Sequence, residues 1–165
     1  MALKDLFKGR ESQLEGFQRQ IREVASREGL PYGDRTMTYN SRMAQELGSW
    51  ADSLSNQADG FLSGKADLLH DLIYRAYFVE NQDISNRGVL LDLASKAGFD
   101  RENAERVLVE RTESEKIDRD WLRARNMGIT GVPTFFSADL VVVGCQSYDI
   151  LMRFVNHLKE LKSAS

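Results

Sequence analysis

Gly131-Val132-Pro133-Thr134-Phe135-Phe136-Ser137-Ala138-Asp139-Leu140-Val141-Val142-Val143 is the stretch whose reading decides the fold. Thr134-Phe135-Phe136 and Leu140-Val141-Val142-Val143 are β-rich runs, and Ser137-Ala138-Asp139 between them has the composition of a turn. The pattern predicts a hairpin. The second run is continuously apolar, which suits a strand covered on both faces. An isolated two-stranded hairpin is marginal in water, and its edges invite pairing with other chains. The hairpin therefore asks for more strands or for a partner that completes the sheet. Pro133 has no N–H to give to a ladder, so at the start of a strand it marks an edge or a cis turn. A cis bond there would leave the Val132 N–H and C=O open to an extended ligand. Taken alone, Gly-Val-Pro is ordinary turn chemistry.

Upstream of this stretch the sequence reads as helix. Ser12-x-x-Glu15 has the form of a capping box, followed by Leu14, Phe17, Ile21 and Val24 at helical spacing, with Gly29 and Pro31 as the stop. Residues 30–38 read as extended. Asn40 is placed to cap a second helix with Met43, Leu47, Trp50 and Leu54 on one face. A polar connection, Ser55-Asn56-Gln57-Ala58-Asp59-Gly60, leads to a third helix carrying Leu68, Leu69, Leu72, Ile73, Ala76 and Tyr77. Ser85 is read as the cap of a shorter helix ending near Gly98, and Asp100 as the cap of the next, with Ala104, Val107 and Leu108. Thr112-x-x-Glu115 is read as a second capping box, opening a helix with Ile117, Trp121 and Ala124 inward and Gly128 as its end. After the hairpin, Ser147 precedes an amphipathic helix with Ile150, Leu151, Phe154, Val155, Leu158 and Leu161.

Composition narrows the function. The 165 residues suit one ordinary domain, and the net charge of −3 comes from 22 basic residues interspersed among 25 acidic ones. With no basic face, nucleic acid is not an expected partner. No apolar run nears the ~20 residues that span a bilayer, so no membrane partner is expected either. Residues 1–8 carry charges where a secretory signal needs an apolar stretch, so the chain as written is expected to be cytoplasmic. A single cysteine, Cys145, rules out an intramolecular disulfide, and one Cys with two His makes no zinc site. No phosphate-cradling glycine loop is present, so no metal or nucleotide cofactor is expected.

Three groups of residues carry a family resemblance. Asn126-Met127-Gly128-Ile129-Thr130-Gly131-Val132-Pro133-Thr134-Phe135-Phe136, then Val143-Gly144-Cys145-Gln146-Ser147-Tyr148, resembles the closing part of DsbA-family thiol–disulfide oxidoreductases. Tyr39-Asn40-Ser41-Arg42, Tyr74-Arg75-Ala76-Tyr77-Phe78 and Asp83-Ile84 resemble the helical insertion of the family's FrnE-like branch. The resemblance implies an α/β, partial thioredoxin-like fold: mostly helical from an inserted helical domain, with a C-terminal β-hairpin and closing helix. It divides the chain into 1–128, the insertion and flanking helices, and 129–165, the ββα part. It also implies that Val132, Pro133 and Thr134 form the cis-proline side of a peptide-binding groove. The family's first strand, its Cys-x-x-Cys helix and its second strand have no counterpart in these residues. The expectation is a late start, by truncation or true loss, and no dithiol activity in the isolated chain.

Cys145 is a thiol candidate because it lies after a strand and two residues before a helix cap, where a helix dipole lowers a thiol pKa. The resemblance gives it no role, and free cysteines are usually buried filler. Trp50, Trp121, Tyr74, Tyr77 and Phe78 fit a core better than a groove. Residues 110–120 read as a solvated charge run, and His70 as structural. Two readings stand beside an inactive oxidoreductase chain. One is a non-redox protein that binds extended peptides or unfolded clients at the Val132-Pro133 loop. The other is a protein like the kappa-class glutathione transferases and hydroxychromene-carboxylate isomerases, for which glutathione would be the cofactor. A homodimer or a strand-completing partner is expected, because strand edges need partners.

Overall fold

Helix ends fix the layout of this chain. In the computed structural model, which describes residues 1–57, 63–137 and 140–163, eight helices and two strands follow in order. They are α1 (Leu3–Leu6), α2 (Glu11–Arg27), α3 (Arg42–Gln57), α4 (Ser63–Phe78), α5 (Arg87–Lys96), α6 (Arg101–Glu110), α7 (Ser114–Asn126), β1 (Thr134–Ser137), β2 (Leu140–Val143) and α8 (Tyr148–Ser163). The mostly helical chain with one antiparallel sheet is the partial thioredoxin-like α/β class read from the sequence. It divides into two compact units, Met1–Ile117 and Asp118–Ser165.

Local chemistry explains most boundaries. Asp100 caps α6 by accepting the Asn103 N–H at 2.9 Å. Asn40 accepts the Arg42 N–H at 2.9 Å just ahead of α3. Gly29 and Gly128, both at positive φ, end α2 and α7. Three expected caps are corrected. Helix α2 starts at Glu11, ahead of Ser12, and the Glu11 carboxylate takes the Gly9 N–H at 2.8 Å, so the Ser12 box lies inside the helix. The cap of α5 is Asn86 rather than Ser85, which instead bonds Asp83. Helix α7 starts at Ser114, past Thr112, because Arg111 takes a left-handed conformation that turns the chain first. In the polar connection, Ser55, Asn56 and Gln57 belong to α3, while Ala58, Asp59 and Gly60 lie outside the described residues.

The core of the first unit is built by α3, α4, α5 and α6. Leu47, Ala51, Leu69, Leu90, Leu91, Ala94, Ala104 and Leu108 are buried there, and Trp50 tilts against Phe99 with ring centroids 5.2 Å apart. This confirms the inward face read for α3, and Ala76 confirms that of α4, except that Leu68 is exposed. Tyr74, Tyr77 and Phe78 stack on one another, so they serve packing. On α2, by contrast, Phe17 and Ile21 are exposed, and in the second unit Trp121 is exposed rather than inward.

A buried ion cluster, absent from the sequence reading, ties α3 to the α6–α7 turn. Glu46 is 0% exposed. Arg111 grips it with two bonds of 2.6 and 2.7 Å, and Arg42, one turn back, adds a third of 2.7 Å. Arg42 also donates to the Ser114 carbonyl at 2.8 Å, and Ser49 donates to Glu113 at 2.7 Å. The Arg111 hydrogen bond holds the Glu46 carboxyl below the usual carboxylate range; burial opposes it and Arg42 assists. Arg111, read as part of a solvated run, is therefore half a lock.

In the second unit β1 and β2 pair antiparallel, with Thr134 opposite Val143 and Phe136 opposite Val141. Those four residues share one face of the sheet, on which Phe136, Val141 and Val143 are exposed. On the other face Leu140 and Val142 are half-buried, and α8 packs against β2. The apolar run of β2 is thus covered on one face, not two. Residues 138 and 139 of the expected turn lie outside the described residues.

Candidate functional site

The candidate site grows from the end of α7. Gly128 adopts φ 69°, and the Ile129 N–H reaches back to the Ala124 carbonyl at 3.0 Å, so the helix closes here. At Gly131 a second constraint appears, because the Thr134 hydroxyl donates to its carbonyl at 2.6 Å across a four-residue turn. The Val132–Pro133 peptide inside that turn is cis. Val132 stands 88% exposed, and neither its N–H nor its C=O has a hydrogen-bond partner among the described residues. Thr134 then enters β1.

The far strand returns to the same place. Gly144, which follows β2 at φ 86°, donates its N–H to the Pro133 carbonyl at 2.8 Å. The Gln146 side chain caps the Val143 carbonyl at 2.7 Å. Between them sits Cys145, exposed and unpaired. Ser147 occupies the cap position of α8, its carbonyl accepting the Leu151 N–H at 3.1 Å. The structure thus gathers Val132, Pro133, Thr134 and Cys145 at one end of the hairpin. Gly144 and Gln146, which hold that end together, lie in the stretch that carries the family resemblance, but no role was read for either.

The other polar groups singled out lie elsewhere in the chain. His70 on α4 meets Asp52 on α3 at 2.9 Å, with both half in water. It has room because residue 48 is glycine, whose missing Cβ would stand 2.7 Å from the imidazole Cε1. Among the described residues no group of His, Cys, Asp and Glu is arranged to hold a metal ion. No helix among them is long and apolar enough to cross a membrane.

Chemically, the hairpin end offers three things: an unpaired backbone donor and acceptor, an exposed apolar side chain, and one accessible thiol. The first two suit strand-like pairing with an extended chain. The thiol can accept a sulfur in exchange, but one thiol cannot complete a dithiol cycle.

Comparison with known proteins adds family context. A family model described as a DSBA-like thioredoxin domain matches residues 3–156. Uncharacterized protein YwbO of Bacillus subtilis (strain 168) is 28% identical over 92 residues, covering 54% of this chain and 46% of that protein. The match therefore spans about half the length of that relative.

Proposed function

The chain belongs to the DSBA-like thioredoxin-domain family, and from that membership we propose that its hairpin end docks an extended polypeptide. The observation that carries this reading is Val132, exposed at the start of β1 with its backbone N–H and C=O unpartnered among the described residues. An extended client aligned there gains main-chain hydrogen bonds whatever its sequence, while the exposed Val132 side chain supplies apolar contact. With a single cysteine, the chain performs this step without internal dithiol–disulfide exchange.

The test is binding of a cysteine-free extended peptide, followed by fluorescence anisotropy. N-methylation at alternate residues of that peptide removes its donors and is expected to weaken binding by about tenfold, ~1.4 kcal/mol. Equal affinity for the methylated peptide would remove the reading.

The exposed face of Phe136, Val141 and Val143 fits a partner surface. A second copy of the chain, or a chain that lends strands, fills this role, and a monomer mass by sedimentation at micromolar concentration would argue against the first. A second reading rests on Cys145 beside the loop. Its thiolate attacks a disulfide on a small molecule or client, forms a mixed disulfide and expels the other sulfur as thiolate. Intact mass after treatment with oxidised glutathione tests it, since one added glutathionyl group is required.

A further inference from the structure

A cavity in the first unit lies outside everything assigned above. It has a volume of about 540 Å³, within the ~300–1,000 Å³ usual for small-molecule sites, and its lining is mainly apolar. Leu3, Leu14 and Met37 form the apolar part of the wall. Lys4, Arg22 and Arg35 line it too, against the single carboxylate of Asp34. A chain whose net charge is −3 therefore places three cations and one anion around one greasy hollow.

The walls are held in place before any ligand arrives. The N-terminal segment pairs with residues 36–38, through the Leu3 N–H to the Thr36 carbonyl and the Thr38 N–H to the Met1 carbonyl, both 2.9 Å. The isolated bridge Ala2–Met37 lies between these bonds. The Gln18 side chain of α2 donates to the Arg35 carbonyl at 2.8 Å and fixes the opposite wall. Arg35 is the most constrained of the cations. Its Nε donates to the Met37 carbonyl at 3.1 Å and one terminal nitrogen to the Tyr77 hydroxyl at 2.6 Å. Its guanidinium also lies 4.4 Å from the Tyr77 ring centroid. Its remaining N–H donors have no protein partner among the described residues. Arg22 is only loosely engaged, 3.6 Å from an exposed Asp34, and the Lys4 ammonium has no partner among the described residues.

We propose that this cavity binds a free single-chain carboxylate, a fatty-acid-like amphiphile, with its alkyl chain against Leu3, Leu14 and Met37 and its carboxylate among Lys4, Arg22 and Arg35. An immobilised, partly buried guanidinium with unused donors suits a planar carboxylate. The apolar lining favours an alkyl body over a nucleotide or a sugar. The cavity shares no lining residue with the hairpin loop, and its proposal does not depend on the peptide-docking reading.

The experiment is an amide-resolved NMR titration of the full chain with octanoate and decanoate, each kept below its micellar concentration, and with octanol as the neutral control. The expected result is saturable shifts confined to residues 2–4, 14–22 and 34–37. Decanoate should bind more tightly than octanoate by about fourfold for each added CH₂. Octanol should bind about tenfold more weakly than octanoate. The double variant Lys4→Gln/Arg22→Gln, which changes only exposed side chains, should bring octanoate down to the octanol level. Leu14→Trp should block both by filling the cavity. The proposal is overturned by the absence of saturation, by equal binding of octanol and octanoate, or by shifts centred on Phe136 and Val141. It is equally overturned if anionic-lipid vesicles shift these residues while monomeric decanoate does not.

Discussion

The Gly144 N–H donates to the Pro133 carbonyl at 2.8 Å, and this bond joins the segment carrying the sole thiol of the chain to the segment carrying the exposed Val132. Cys145 follows Gly144 directly, and Val132 precedes Pro133 directly. Whatever docks at Val132 therefore has Cys145 for a neighbour. Alkylation of Cys145 with a bulky maleimide is expected to weaken extended-peptide binding by about tenfold, ~1.4 kcal/mol. Cys145→Ser, which keeps the size and removes the label site, should bind like the parent chain. Anisotropy titrations of the three forms check this, and equal affinity of the alkylated form would separate the thiol from the site.

The Glu46 lock gives a stability prediction. Removing one partner from a buried ion pair costs about 3–5 kcal/mol when the other is stranded. Here Arg42 stays bonded to Glu46 after Arg111 is removed, and Arg111 itself is half in water. Arg111→Ala is therefore expected to cost somewhat less, about 2–3 kcal/mol. Urea denaturation measures it, and a loss below the ~0.5 kcal/mol typical of a surface change would show the pair to be idle.

Acid should expose the same contact. The Glu46 carboxyl is held below its ordinary value in the folded chain, first by the Arg111 hydrogen bond. Below the ordinary glutamate value of about 4.3, the unfolded chain binds the proton more readily, so stability falls as pH falls. The contribution is fully present above that pH and is lost as the folded value is passed. Urea midpoints from pH 6 down to pH 3 should fall more steeply for the parent chain than for Arg111→Ala. Parallel curves would contradict the assignment.

Two glycines should behave differently. A Cβ at Gly33 would collide with the Val79 carbonyl, which is backbone, and the Gly33 N–H is bonded to the Phe78 carbonyl at 2.9 Å. Gly33→Ala is expected to cost about 2–3 kcal/mol, as overpacking does. A Cβ at Gly48 meets only the imidazole of His70, a half-exposed side chain that can swing away. Helix α3 gains about 0.5–1 kcal/mol from alanine over glycine, so Gly48→Ala should be near neutral while the His70–Asp52 bond is lost. Thermal midpoints rank the two, and NMR of the imidazole reports the second.

Features set by one residue's local chemistry are legible in the sequence, and features that join residues far apart in the chain are not. Asp100 caps α6 because its side chain meets an N–H three residues on, and that geometry is written in the spacing. The hairpin was legible from the alternation of β-rich runs. Ser12 and Thr112 were misread because a capping box is also an ordinary helix-interior sequence when the helix begins elsewhere. Glu46 was invisible, since a glutamate on α3 announces nothing until Arg111, 65 residues later, folds onto it. The loop residues of the candidate site are singled out by a resemblance alone, and the bond from Gly144 that links them to the Cys145 segment is a matter of strand register.

Arg111 is asked for two incompatible things. Its backbone sits at φ 55°, ψ 39°, a conformation that glycine or asparagine adopts readily and that costs most other residues about 1–2 kcal/mol through the clash of Cβ with the backbone. Its side chain must at the same time span to Glu46, which neither of those residues can do. No single amino acid is best for both demands, so the position holds a compromise, and the helical unit folds with a built-in local conflict. A substitution that eases the turn unlocks the carboxylate. The turn between α6 and α7 is thus a point where better local geometry makes a less stable protein.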